Sequence, residues 1–322
     1  MSYRTVAFFA AMVLSASAAS AQVAPSLLIQ PWPEQPTLAQ TYDHLFLISE
    51  GHTQGDDGDV STFVWDSYGR VKFDRQDTDP GAVVGYRFFT MAVDADRRDI
   101  DGAYNDLAVA GAFQVGTFDE WELGLIGGVG SANDNHWDEG DANYGLGTVN
   151  LSRSLGEHEQ LHIGLNYDGN RLLWPDAPLP YISYVNTTRD NLVYVIGVPV
   201  SSITWRPIEA LTLSANYQLP YNITGRVSYA LTPKLSLFTE YDRSFNAFHE
   251  HDATREHQRL FYRLSTWNTG VTCENKWLGE VSLGVGYAFD QEFSRGWDLQ
   301  DTTGVASPSD EVLFFLKVRG MF

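Results

Sequence analysis

The 322-residue chain carries a formal net charge of −20, 13% aromatic residues and one cysteine, Cys273. So acidic a chain lacks the basic footprint that nucleic acid demands, and it is poorly matched to docking on an anionic lipid surface. A lone cysteine excludes an intramolecular disulfide, and past the N-terminus no apolar run approaches the roughly 18 residues of a spanning helix.

The chain opens "MSYRTVAFFAAMVLSASAASAQ". Arg4, the apolar run "VAFFAAMVLSA" and the small-x-small site Ala19-Ser20-Ala21 before Gln22 have the order of a cleaved secretory signal over residues 1–21. No cysteine follows that site, which argues against a lipoprotein. The Pro-rich "QVAPSLLIQPWPEQPTLAQ" predicts no regular element. It makes residues 22–41 a periplasmic lead-in to one domain over 42–322.

From Tyr42 the pattern has period two. In "STFVWDSYGRVKFD", Phe63, Trp65, Val71 and Phe73 share one face, and Asp66, Tyr68, Arg70, Lys72 and Asp74 the other. "LHIGLNYDG" sets Leu161, Ile163, Leu165 and Tyr167 against His162, Gly164, Asn166 and Asp168. "VSLGVGYAFDQ" sets Val281, Leu283, Val285, Tyr287 and Phe289 against small and polar residues. Helical spacing fits these stretches less well. A soluble half-buried sheet also alternates. Here, however, the polar faces carry small and charged residues suited to a watery lumen, and the apolar faces end in aromatics, as barrel girdles do.

The connections alternate as well. "DTDPG", "TFDE", "GEHEQ", "RPIEA", "LTPK" and "KWLGE" are short. "DADRRDIDGAYND", "SANDNHWDEGDANYG", "DGNRLLWPDAPLPYISYVNTTRD", "NAFHEHDATREHQ" and "FSRGWDLQDTTGVASPSD" are long and polar. Short periplasmic turns facing long extracellular loops are the asymmetry of an outer-membrane barrel. The expected fold is therefore all-β: a single transmembrane antiparallel barrel of about 14 strands, or 12 or 16 if a hairpin has been split or merged. The last strand, "EVLFFLKVRGMF", sets Val312, Phe314, Leu316, Val318 and Phe322 against Lys317 and Arg319, with Leu313, Phe315 and Met321 mixing the polar face. Closure onto the first strand would leave no edge in lipid. Phe314, Leu316, Val318 and Phe322 are expected to be the signal read by the barrel-insertion machinery, with outer-membrane lipid as the surrounding partner.

The stretch "VIGVPVSSITWRPIEALTLSANYQLPYNITGRVSYALTPKLSLFTEYD" resembles a family of uncharacterised, porin-like outer-membrane barrel proteins. The likeness rests on Pro199, Trp205, Pro207, Pro220 and Tyr229. "RLFYRLSTWNTGV" and "VSLGVGYAFDQEFSRG" are similar to that family's closing strands, with Gly286, Phe289 and Glu292 matching, and "IDGAYNDLAVAGAF" looks like the entry to its middle strands. The resemblance implies a barrel and no assigned activity.

The residues expected to line the lumen are Asp66, Arg70, Lys72, Asp74, Arg87, Glu122, His162, Asp168, Glu240, Asp242, Lys317 and Arg319. Rings of charge in a wet lumen tune the passage of solutes, and the same groups can pair and shut it. "FHEHDATREH" puts His249, His251 and His257 among carboxylates, a donor set for zinc, copper or nickel, with a solvated loop as the alternative. The acidic clusters "GDDGD", "DADRRDIDG" and "DNHWDEGD" offer oxygen ligands to divalent cations, although Arg97 and Arg98 interrupt the second. Catalysis requires a nucleophile beside a base. Ser244, His249 and Asp252 lie close in sequence, and His162 and Asp168 could meet across a lumen, but neither set has a recognisable spacing. No Gly-rich phosphate loop or Cys-pair zinc site occurs, so neither enzyme activity nor a cofactor is expected. The expected function is a passive pore for small hydrophilic solutes, favouring cations through its acidic loops. The alternatives are a closed barrel that binds or supports the envelope through those loops, and a rim enzyme acting on envelope lipid.

Overall fold

The computed structural model describes residues 38–53, 58–73, 81–189, 191–220, 222–251, 258–275 and 278–322. The signal segment, most of the lead-in, Asp74, Asp252 and His257 lie outside them. Strands follow in chain order as β1 (Ala39–His52), β2 (Asp59–Lys72), β3 (Ala82–Ala95), β4 (Gly102–Phe118), β5 (Trp121–Asn133), β6 (Asn143–Gly156), β7 (Glu159–Asp168), β8 (Leu179–Arg189) and β9 (Leu192–Val198). The second half is β10 (Val200–Ile208), β11 (Leu211–Gln218), β12 (Asn222–Thr232), β13 (Leu235–His249), β14 (Arg259–Asn275), β15 (Gly279–Gly296), β16 (Thr303–Ala306) and β17 (Glu311–Met321). Consecutive strands from β1 to β16 pair antiparallel, β15 pairs with β17 as well, and β1 pairs with β17 as well as β2. The short β16 pairs only with β15, so sixteen strands close the ring. At the seam, Ala39 N–H donates to Phe322 O at 3.1 Å and Phe322 N–H to Ala39 O at 3.0 Å. Each of the sixteen ring strands thus has a ladder partner on both sides, as strands must arrange in hydrocarbon.

The count of about 14 missed one hairpin. "LPYISYVNTTR", read as part of a long loop, is β8, and Arg189 pairs with Leu192 across a tight turn. "VIGVPVSSITW", read as a single strand, is β9 and β10 folded back at Pro199. Proline lacks the N–H a ladder requires, so it marks the turn, and the alternation breaks there: Ile196 and Val198 face outward before it, Ile203 and Trp205 after it. β1 also begins at Ala39, three residues inside the segment read as lead-in.

The outside of the ring is apolar all round. Leu47, Val109, Val129, Leu165, Ile196, Ile203, Leu283 and Phe314 are exposed on outward positions of strands spread round the ring. Aromatic residues mark both borders. Tyr241, Trp267, Tyr287 and Phe289 cluster at the long-loop end, and exposed Phe73, Phe118, Trp205 and Phe322 sit at the short-turn end. An exposed apolar surface of that extent is incompatible with water.

At the long-loop end the ring does not remain open. Above Arg243, β13 has no ladder partner on its β12 side, and above Ala288 β15 leaves β17 and pairs with β16. β13 and β14 stay laddered to His249 and Arg259, and β14 with β15 to Gly296. The tops of β13–β15, with β16, therefore form a flap. A register shift between Arg263 and Ser265, opposite Asp290 at φ 53°, bends it, as bulges do. The flap crosses the mouth, so that His249 bridges Asn133 on β5, on the opposite side of the ring.

Candidate functional site

The inner face of the flap brings Phe248, Leu260, Tyr262 and Phe293 against Phe89, Met91, Val93 and Tyr104 of β3 and β4. Phe248 lies 5.8 Å from the Phe89 ring and 5.4 Å from that of Tyr104, centroid to centroid. Leu313 and Phe315 of β17 belong to the same cluster, which explains why they interrupt the polar face of that strand. The outer face of the flap, at Phe245, Ala247 and Phe261, is covered by Leu172 and Leu299 from two loops. Asn170 Nδ2 donates to Ala247 O at 3.2 Å, and Arg259 donates to Asn170 Oδ1 at 3.3 Å and to Trp297 O. The lumen, whose openness the sequence leaves undecided, is therefore not watery throughout. Its long-loop part is a dry core, because flap residues that alternation alone would direct into open space meet opposing strands.

Below the flap lies a cavity of about 360 Å³. Its lining runs from Glu209, Pro233 and Lys234 in short turns up to Phe89, Tyr262 and Leu264 beneath the flap. It is a vestibule open toward the short-turn end. β10–β13 contribute a wall of hydroxyls, Thr204, Ser214, Thr224, Ser228 and Ser236, while β1 and β17 contribute Tyr42, His44, Lys317 and Arg319.

Two ionic networks span this interior. Arg87 on β3 meets Asp66 on β2 at 3.3 Å and Asp106 on β4 at 3.0 Å, and it donates to Asn246 Oδ1 on the flap at 3.1 Å. Tyr144 O–H donates to the other Asp106 oxygen at 2.5 Å. The rigid guanidinium fork suits this task, since it can hold several acceptors at once. In the second network Glu240 pairs with Arg226 at 3.2 Å and with Lys317 from β17. Arg226 also lies 3.8 Å over the Phe238 ring and donates to Thr272 Oγ1 at 3.1 Å. Asp242 accepts from Thr224 Oγ1 at 2.6 Å.

Of the residues expected in the lumen, Asp66, Arg70, Lys72, Arg87, His162, Asp168 and Glu240 are buried on inward positions, and Asp242, Lys317 and Arg319 line the vestibule. Arg70 donates to Gln40 Oε1 at 2.6 Å, and Arg319 approaches Glu280 at 3.5 Å. Glu122 holds the inward register beside Ser152 but is exposed at the short-turn rim. Asp74 lies outside the described residues. His162 and Asp168 occupy one face of β7 at opposite ends, and neither ring nitrogen of His162 has a hydrogen-bond partner. They do not meet across the lumen.

Asp106, Arg226 and Asn246 were not singled out from the sequence. Arg226 was legible in "NITGRVSYALT", where Thr224, Arg226 and Ser228 alternate with apolar residues. Asp106 was hidden because "AYND" read as loop, whereas β4 already starts at Gly102.

Among the histidines, His251 Nδ1 lies 2.6 Å from Glu139 Oε1, and its backbone N–H donates to Asp134 Oδ2 at 2.8 Å. His251 stacks on His136 at 4.4 Å, and His136 Nδ1 lies 3.0 Å from Asp134 Oδ1. That hydrogen bond holds the His136 imidazole above its ordinary range. These contacts tie the flap's end to the loop after β5. Asp99 is engaged by Arg97 at 2.7 Å, which holds its carboxyl below the usual range. Among the described residues no group of three or more His, Cys, Asp or Glu side chains could hold a metal ion.

A closed antiparallel ring with an apolar exterior, aromatic borders and a polar vestibule is a transmembrane β-barrel. No family model matches the chain, and no curated protein does. Among solved structures it is similar to an outer membrane channel from Pseudomonas putida F1, at 12% identity and a TM-score of 0.37, over 94% of this chain and 100% of that one. It is also similar to a mutant of the TodX monoaromatic hydrocarbon channel, at 9% identity and 0.35, over 93% and 94%. OmpF of Salmonella typhi follows at 8% and 0.30, over 88% and 98%.

Proposed function

We propose that the protein is a porin-like channel of the outer membrane for small hydrophilic solutes, exported by its signal segment, with short turns in the periplasm and long loops outside. The observation that carries this reading is the hydroxyl- and charge-lined vestibule within a closed, lipid-facing ring. Passage requires the flap to leave Phe89 and Tyr104. Within the vestibule the carboxylates Asp66, Glu209, Glu240, Asp242, Glu274 and Glu280 nearly balance Arg206, Arg226, Lys234, Lys317 and Arg319. Preference for cations is therefore set by the acidic outer loops, which focus counter-ions at the mouth.

Single-channel conductance of the refolded mature protein, across a salt gradient in a planar bilayer, tests this. Discrete steps with a cation-favouring reversal potential are expected; silence from folded, inserted protein sinks the channel. A second reading, a closed barrel acting at the surface through its loops, is favoured by the many contacts that pin the flap. Deleting residues 246–258 separates the two. Steps from the intact protein are expected if the flap is a gate; if the flap shuts the barrel permanently, the intact protein is silent and only the deletion conducts.

A further inference from the structure

Two walls of the lumen differ, at one level, in what reaches them. Gln40, Val83 and Val193 are each the second residue of a strand rising from the short-turn end, on β1, β3 and β9, and each holds an inward position. They are 1%, 4% and 3% exposed. Thr212 and Ser236 hold the same place on β11 and β13, yet both are partly exposed on the vestibule. Lys72, at the foot of β2, is 1% exposed, and the neighbours Ser152 and His162 on β6 and β7 are 7% and 2% exposed. A ring of sixteen strands is too wide for its own side chains to fill. The strands that pack across it, β13 with β4 and β5, do so at the flap, at the other end. Water would leave the first wall as open as the second. On β1–β3 and β6–β9 the short-turn half of the lumen is therefore covered by something other than the described strands.

We propose that the occupant is the chain's own lead-in, residues 22–37, folded back into the lumen as a plug. Its starting point and its length carry this. Leu38 O accepts from Lys72 N–H at 3.0 Å, and Leu38 N–H donates to Phe322 O. The lead-in thus departs from the seam at the foot of the covered wall. Extended at about 3.1 Å per residue it reaches about 50 Å; the wall from β1 to β9 is roughly 38 Å at about 4.8 Å per strand spacing. Pro25, Pro31, Pro33 and Pro36 bar it from adding a strand to the ring. Its apolar Leu27, Leu28, Ile29 and Trp32 suit the hollow that Ala108, Ala110, Ala112 and Gly128 leave on β4 and β5. Its one charged residue, Glu34, lies four residues before Leu38 and complements the buried cations Arg70 and Lys72. His162 aims two ring nitrogens without hydrogen-bond partners into the same space, where a proline-broken backbone has peptide groups to satisfy. The inference goes beyond the channel reading: it confines passage to the vestibule along β10–β15 and β17.

Thiol labelling of the refolded protein in detergent tests the plug without any current, so its failure is distinct from failure of the channel. All variants carry Cys273→Ser. The single thiols are Ser152→Cys on the covered wall, Ser228→Cys on the vestibule and Trp32→Cys in the lead-in. A small charged maleimide is expected to label Ser152→Cys at least about tenfold more slowly than Ser228→Cys. Deleting residues 22–37, which leaves Leu38 and β1 in place, should bring the two rates together. Trp32→Cys should label at least about tenfold more slowly in the folded barrel than in urea. That measurement needs no deletion, so it decides the matter even where the shortened chain does not fold. Trp32→Cys labelling alike in both states overturns the plug. So does Ser152→Cys shielded equally with and without the lead-in, which means another occupant, or Ser152→Cys labelling as fast as Ser228→Cys in the full chain, which means water.

Discussion

Arg87 shows how one side chain can close a lumen. It is buried, as are both carboxylates it holds, and its third contact reaches the flap. Replacing it by Met leaves Asp66 and Asp106 buried without their counter-charge, at a cost of about 3–5 kcal/mol. Urea unfolding of the refolded barrel measures this. A loss below about 1 kcal/mol, the scale of an exposed pair, would mean that water reaches the site. His136 gives a pH dependence of known sign. Its folded pKa is raised by Asp134, so the contact is complete below the ordinary imidazole value and is lost as pH rises through the folded one. NMR titration should place His136 above free histidine, and Asp134→Asn should bring it down; an unshifted titration rejects the pairing. At this scale alternation made much legible. The inward registers of Asp66, Arg70, Lys72 and Glu240 follow from counting by twos. Partners on other strands did not, since period two tells which way a side chain points and not what it meets.

At the scale of elements, the flap is the part the sequence concealed. "NAFHEHDATREHQ" reads as a polar loop, yet its Asn246–His249 are laddered strand, paired with Arg259–Tyr262. Their charged and aromatic mixture follows from having two buried faces, one on the opposing strands and one under Leu172 and Leu299. Only the break in alternation near Arg263 hinted at the bend. A disulfide tests the arrangement. With Cys273→Ser removing the native thiol, Asn133→Cys with His249→Cys joins the bridged pair. Oxidation is expected to abolish current and reduction to restore it. Current that is indifferent to the redox state would place the gate elsewhere.

For the whole molecule, the ring's two faces set opposite tolerances. Leu283 lies on the apolar exterior, between the aromatic borders. Leu283→Arg should cost about 2–4 kcal/mol in a bilayer, whereas Ser282→Thr on the inner face should fold like the parent, both read by urea titration in vesicles. Equal effects would contradict the assigned faces. The barrel class was readable because sixteen strands repeat one rule, and the strand number was not, because the break in alternation at Pro199 fits a bulge inside one strand as well as a turn between two. The continuity of the flap with its strands also has a consequence in time. A tethered loop rattles over a mouth on the nanosecond-to-microsecond scale. This closure is the end of a hydrogen-bonded sheet, and β13, β14 and β15 must swing together or break ladder bonds. On the channel reading, long dwell times are expected, with a current record that is a square wave between two levels rather than flicker.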